Sequence, residues 1–126
     1  MEEWGRAADQ VFIWDYAITF NETGLPYPGE FTYEDTYRFY AANNVKGIFW
    51  EHEFSSYADL FELKFYLEAK LMDDPHADVE QLRQDFLQKY YGPAADGVEA
   101  YRRILQQAAV ANRAEIYWFE TVNQQF

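Results

Sequence analysis

The sequence predicts an α/β fold, with one βαβ unit of two parallel strands over residues 1–56 and a helical portion over 57–126, all in a single domain. Three observations carry this. Two short apolar runs, VFIWDYAI at 11–18 and VKGIFW at 45–50, are rich in β-branched and aromatic residues. About a dozen residues of helical character separate them, the spacing of a crossover between parallel strands, which takes the right-handed path. After Ser55 and Ser56 the period changes, and Leu60, Leu63, Leu67 and Leu71 recur at helical spacings of three and four.

The first apolar run stops at NETGLPYPGE, whose glycines and two prolines forbid continued regular structure. Thr32 is then placed to cap a helix over TYEDTYRFYAANN, with Asp35 three residues on and acids in its first turn. Tyr33, Tyr37, Phe39 and Tyr40 supply its apolar face, and Asn43 and Asn44 suit its end. In the helical portion Ser56 is expected to cap a helix from Tyr57 to about Met72, with Phe61 and Phe65 widening the leucine stripe, and the Asp-Asp-Pro at 73–75 stops it. Asp78 with Gln81 forms a capping box for the next helix, which carries Val79, Leu82, Phe86 and Tyr90 and ends at Gly92. Pro93 suits the first turn of a last helix, expected from about Ala94 past Ile116 and fraying beyond Thr121.

Composition narrows the function. A chain of 126 residues with 49% hydrophobic and 21% aromatic residues has material for a modest core. Its net charge of −12, from 22 acids against 10 scattered lysines and arginines, makes nucleic acid and anionic membrane surfaces poor partners and leaves neutral substrates such as sugars open. The absence of cysteine removes disulfides, thiolate catalysis and Cys-based zinc sites. The acidic start, MEEWGRAADQ, has no signal-peptide character, and no apolar run approaches the roughly 18 residues of a membrane span. A soluble chain is therefore expected, with its compartment open. No phosphate-binding loop, dinucleotide fingerprint or serine-nucleophile elbow is present, so no cofactor is expected.

The ionisable run Glu51, His52, Glu53 ends an otherwise buried strand, and Asp15 with Tyr16 ends the other. Parallel β/α folds bind ligands at the C-terminal ends of their strands. Asp15 and Glu51 are the candidate catalytic pair: both interrupt otherwise apolar runs, and neighbouring strands run about 5 Å apart, close enough for the two carboxylates to share a substrate. Tyr16, Tyr27, Glu53 and Tyr57 are the candidate substrate contacts, with Trp14 and Trp50 as further stacking rings. Alternation sends Phe49, Glu51 and Glu53 to one face and Ile48, Trp50 and His52 to the other. That makes His52 a packed or hydrogen-bonded histidine and prevents the acidic run from closing on one metal ion. His76, in a turn after a proline, carries no signal.

VFIWDYA, NNVKGIFWE and ELKFYLEAKLMDDPHADVEQLRQDFLQKYYGPAA together resemble the C-terminal part of a bacterial domain-of-unknown-function family that looks like a glycoside-hydrolase TIM barrel. The shared motifs are a W-D-Y strand, a G-I-F strand ending in acids, a helix ending in K-L-x-x-D-P and a helix ending in Y-Y-G-P-A, across residues 4–105. A more distant similarity is to α-glucuronidases, whose W-D-P helix end is replaced here by Met72-Asp73-Asp74-Pro75. The resemblance implies a partial (β/α)8 barrel in which the two strands are the last two of eight. It also implies that earlier strands, which usually supply part of the acid/base pair, lie elsewhere. The isolated chain is then expected to contribute acids to a carbohydrate-binding cleft without being a competent hydrolase. Two other readings stand beside this: a sugar-binding module without catalysis, and a non-catalytic module that pairs through its strand edges with a second copy or with a missing N-terminal barrel half.

Overall fold

A computed structural model describes residues 1–17, 26–52 and 58–114. The fold is α/β: α1 (Glu2–Ala7), β1 (Val11–Tyr16), α2 (Tyr33–Ala42), β2 (Val45–Glu51), α3 (Phe61–Asp73), α4 (Val79–Tyr91) and α5 (Ala95–Asn112), with 3₁₀ turns at Gly29–Thr32 and Gly92–Ala94. Among the described residues the strands form one two-stranded parallel sheet, in which Ile13 pairs with Ile48, Trp14 with Phe49, Asp15 with Trp50 and Tyr16 with Glu51. The Ala17 amide donates to the Glu51 carbonyl at 3.0 Å and carries the ladder one residue further.

Among the described residues only one sheet face is covered. Ile48 and Trp50 pack with Tyr33 and Tyr37 of α2 against Leu63, Leu67 and Leu71 of α3, all three of which are fully buried. Each of those leucines stabilises the fold by about 1.5–3 kcal/mol through burial. The Trp50 ring stacks on Tyr37 at 6.0 Å and tilts against Tyr33 at 5.7 Å. On the other face Phe12, Trp14 and Phe49 are 69%, 65% and 57% exposed. Phe12 lies across Gly47, where an added Cβ would come within 2.9 Å of its ring. Parallel sheets are normally buried on both faces, which makes this open face the exceptional feature of the fold.

Several local expectations need correction. Residues 2–7 form a short helix that the sequence reading did not anticipate; it rests on the turn after α2, and Asn44, at φ 61°, ties that turn to the Ala8 and Asp9 carbonyls at 3.0 Å. Thr32 does not cap α2 through its side chain: its hydroxyl donates back to the Gly29 carbonyl at 2.8 Å, closing the 3₁₀ turn instead. α3 begins at Phe61, not at Tyr57, after a turn in which Leu60 takes φ 54°; Ser56 itself lies outside the described residues. Half of the capping box forms. Asp78 accepts from the Gln81 amide at 3.0 Å, but the Gln81 side chain donates to Asp85 at 2.8 Å. α5 starts at Ala95 and ends at Asn112, with Arg113 at φ 50° closing it; Ile116 and Thr121, in the expected run, lie outside the described residues.

The buried face of α3 also differs from the leucine-and-phenylalanine stripe expected. Lys64 and Glu68 are buried while Phe65 is 56% exposed, so the stripe rotates toward the polar side. A second charged knot joins the sheet unit to the last helices. Arg102, with no exposed surface, reaches Glu30 at 3.1 Å and Glu99 at 2.5 Å, and its guanidinium stands 4.5 Å over the Phe31 ring. Arg103 bridges Glu99 at 2.6 Å and Glu80 at 3.4 Å, and Arg83 holds Glu80 at 2.6 Å while facing Phe31 at 5.2 Å. Three arginines thus meet three glutamates, and the pairing offsets the burial of Arg102, Arg83 and Glu30.

Candidate functional site

The open face places Glu51 at the C-terminal end of β2, level with Tyr16 of β1. Its carboxylate accepts a hydrogen bond from the Trp14 indole at 3.0 Å, and Trp14 meets Phe49 edge to face at 5.0 Å. The indole is therefore held by an acid and a ring although it is 65% exposed. An acid beside an exposed, oriented indole is an arrangement that offers a stacking surface and a hydroxyl acceptor to one ligand.

Asp15 goes the other way. In a parallel pair, residues in register share a face and successive residues alternate, so Asp15, paired with Trp50, faces the helices, while Glu51 does not. The close approach of Asp15 and Glu51 as a flanking carboxylate pair is corrected by this half-step in register. Asp15 accepts from the Tyr40 hydroxyl of α2 at 2.5 Å and from the Tyr16 amide at 2.8 Å. Burial, and then the hydrogen bond to Asp15, push the Tyr40 phenol well up.

Tyr27 lies on the helix-facing side, with the Lys64 ammonium 5.5 Å over its ring. Burial first, then the charges of Asp15 and Glu30, raise its pKa. Tyr16, in register with Glu51, remains beside the acid. Glu53 and Tyr57 lie outside the described residues.

His52 is a hydrogen-bonded histidine, as alternation implies. Its Nε2 meets Glu68 of α3 at 2.5 Å, and its ring packs against Phe61 and Phe65 at 5.4 and 5.6 Å. Glu68 in turn faces the Tyr33 hydroxyl; burial and that charge push the phenol well above its usual range. Trp50 Nε1, His52 Nδ1 and one Glu68 oxygen are all shielded from solvent beneath the covered face.

Sequence reasoning missed Tyr40, Lys64 and Glu68 as partners. Tyr40 belongs to the apolar face of α2, yet its hydroxyl donates to Asp15. Lys64 and Glu68 sit one residue after Leu63 and Leu67, and that i, i+4 pair was a signal of a polar margin on the stripe. Among the described residues no group of three His, Asp or Glu side chains is placed to hold a metal ion, and no helix is long and apolar enough to cross a membrane.

The sequence matches, over residues 1–103, a family described as Domain of unknown function (DUF4838). No curated protein and no solved structure matches the chain.

Proposed function

Because the chain belongs to the family described as Domain of unknown function (DUF4838), which leaves the activity open, we propose from the site that β1 and β2 line a carbohydrate-binding cleft of a glycoside-hydrolase-like protein. The observation that carries this reading is Glu51 bonded to an exposed Trp14 on the open face, at the C-terminal ends of parallel strands. Glu51 is the acid that meets the sugar, Trp14 and Phe49 stack on it, and Tyr16 flanks them. Asp15 and Tyr27 act from behind the sheet, where the Asp15–Tyr40 bond holds the end of β1 against α2. The chain alone binds sugar and does not hydrolyse it, because the resemblance puts the strands that usually supply part of the acid/base pair elsewhere, and hydrolysis uses two carboxylates across the bond.

The test is a neutral oligosaccharide panel followed by tryptophan fluorescence and by product release. Saturable quenching that Trp14→Ala and Glu51→Gln each weaken about tenfold, roughly 1.4 kcal/mol, without product, is the expected result. Absence of quenching with every sugar overturns the binding claim, and turnover abolished by Glu51→Gln overturns the inactive part.

The open face also favours a second reading, a non-catalytic module that covers Phe12, Trp14 and Phe49 with another copy or with further strands. Unpaired strand edges beside an apolar face are templates for such pairing. Light scattering across a dilution series decides it: a dimer that Phe12→Asp dissociates supports this reading, and a monomer at all concentrations removes pairing between copies.

A further inference from the structure

α3 and α4 frame a second aromatic surface, made of residues from neither strand. A shallow cavity of about 290 Å³ between them is lined by Tyr66, Phe86, Lys89 and Tyr90. Phe86 stacks on Tyr90 at 5.0 Å with the rings 16° from parallel, and Tyr66 lies against Phe86 at 5.1 Å. Tyr66 and Phe86 also pack against the core, which accounts for their burial, but Tyr90 does not belong to the core and is 55% exposed.

Tyr90 is nevertheless held on two sides. Phe86 supports one ring face and Tyr91 meets it edge-on at 4.9 Å, and the charge of Glu62 raises the pKa of the Tyr90 hydroxyl. Fixing a half-exposed side chain costs rotamer freedom and returns little burial, so the arrangement makes better sense as a preorganised contact surface than as packing. The ligand chemistry follows from the rim. Lys70 already stands 5.8 Å over the Tyr66 ring and Lys89 lines the cavity, so a cationic ligand is disfavoured. The net charge of −12 disfavours a strongly anionic one. A neutral molecule with a flat C–H face and hydroxyls at its edge matches an open ring with an ammonium at its rim.

We propose that Tyr90, supported by Phe86 and flanked by Lys89, is a surface site for a pyranose ring of a neutral oligosaccharide, separate from the strand-end cleft. The ligand class rests on the carbohydrate reading of that cleft; the site does not. Isotope-labelled full-length chain is titrated with cellohexaose, xylohexaose and mannohexaose while backbone amide shifts are followed. At least one sugar is expected to move the amides of Glu62, Lys89 and Tyr90. Tyr90→Ala should weaken that response about tenfold, and Lys89→Ala, a change at a 78% exposed side chain, should weaken it by a smaller factor. If no sugar moves these amides, or if Tyr90→Ala responds like the parent, the proposal is overturned. The two sites separate cleanly: shifts at Trp14 and Glu51 that survive Tyr90→Ala with none at Tyr90 leave the cleft and remove this site, whereas shifts at Tyr90 that survive Glu51→Gln with none on the strands do the reverse.

Discussion

Replacing Arg102 by alanine should damage this fold more than any other single change to a charged residue. Its guanidinium has no exposed surface, lies 3.1 Å from Glu30 and 2.5 Å from Glu99, and covers the Phe31 ring at 4.5 Å. Removing it leaves Glu30, itself 2% exposed, as a buried carboxylate with its main partner gone. Breaking a buried ion pair from one side costs about 3–5 kcal/mol, and loss of the stacking on Phe31 adds about 1 kcal/mol. Against a domain stability of about 5–15 kcal/mol, that is a large fraction, and it lowers Tm on the order of 10–20 °C. Urea denaturation followed by circular dichroism measures it. The paired change Glu30→Leu with Arg102→Met should recover most of the loss, because it removes both charges and keeps the volume. A loss below about 1 kcal/mol for Arg102→Ala would refute the reasoning, since it would mean that Glu30 finds water or another cation when Arg102 is gone.

Alkaline pH should unfold the chain cooperatively. Burial raises the Tyr33, Tyr37 and Tyr40 phenols, helped by Glu68 at the first two and Asp15 at the third. A folded pKa above the unfolded value of about 10 contributes stability that is complete below that pH and is lost as pH climbs above it. Phenolate absorbance and far-UV dichroism should therefore change together, and independent titration of every tyrosine near pH 10 with the dichroism intact would contradict this. Tyr101, which donates to Asp59 at 2.9 Å, has its hydroxyl pushed up to about 12, first by partial burial. Asp78→Ala should cost about 0.5–2 kcal/mol in the same denaturation assay, because it removes the side-chain acceptor of the Gln81 amide at the start of α4.

Local chemistry decided the elements. β-branched and aromatic runs, the Pro and Gly stops and the spacing of Leu63, Leu67 and Leu71 are properties of neighbouring residues, so both strands, the parallel crossover and every helix but α1 were legible in the sequence. So was the fate of His52, because alternation along one strand needs no partner. The capping of α2 was not, since Thr32 serves the preceding 3₁₀ turn, in which Glu30 meets Arg102 some seventy residues away. The candidate site divides in the same way. Acids at strand ends could be read directly, but which acids share a face depends on how β1 pairs with β2, and the hydrogen-bonded register sets Asp15 beside Trp50 and Glu51 beside Tyr16. A side chain's face along one strand follows from covalent geometry; its neighbours across strands and helices follow from packing, and only the tertiary structure supplied those.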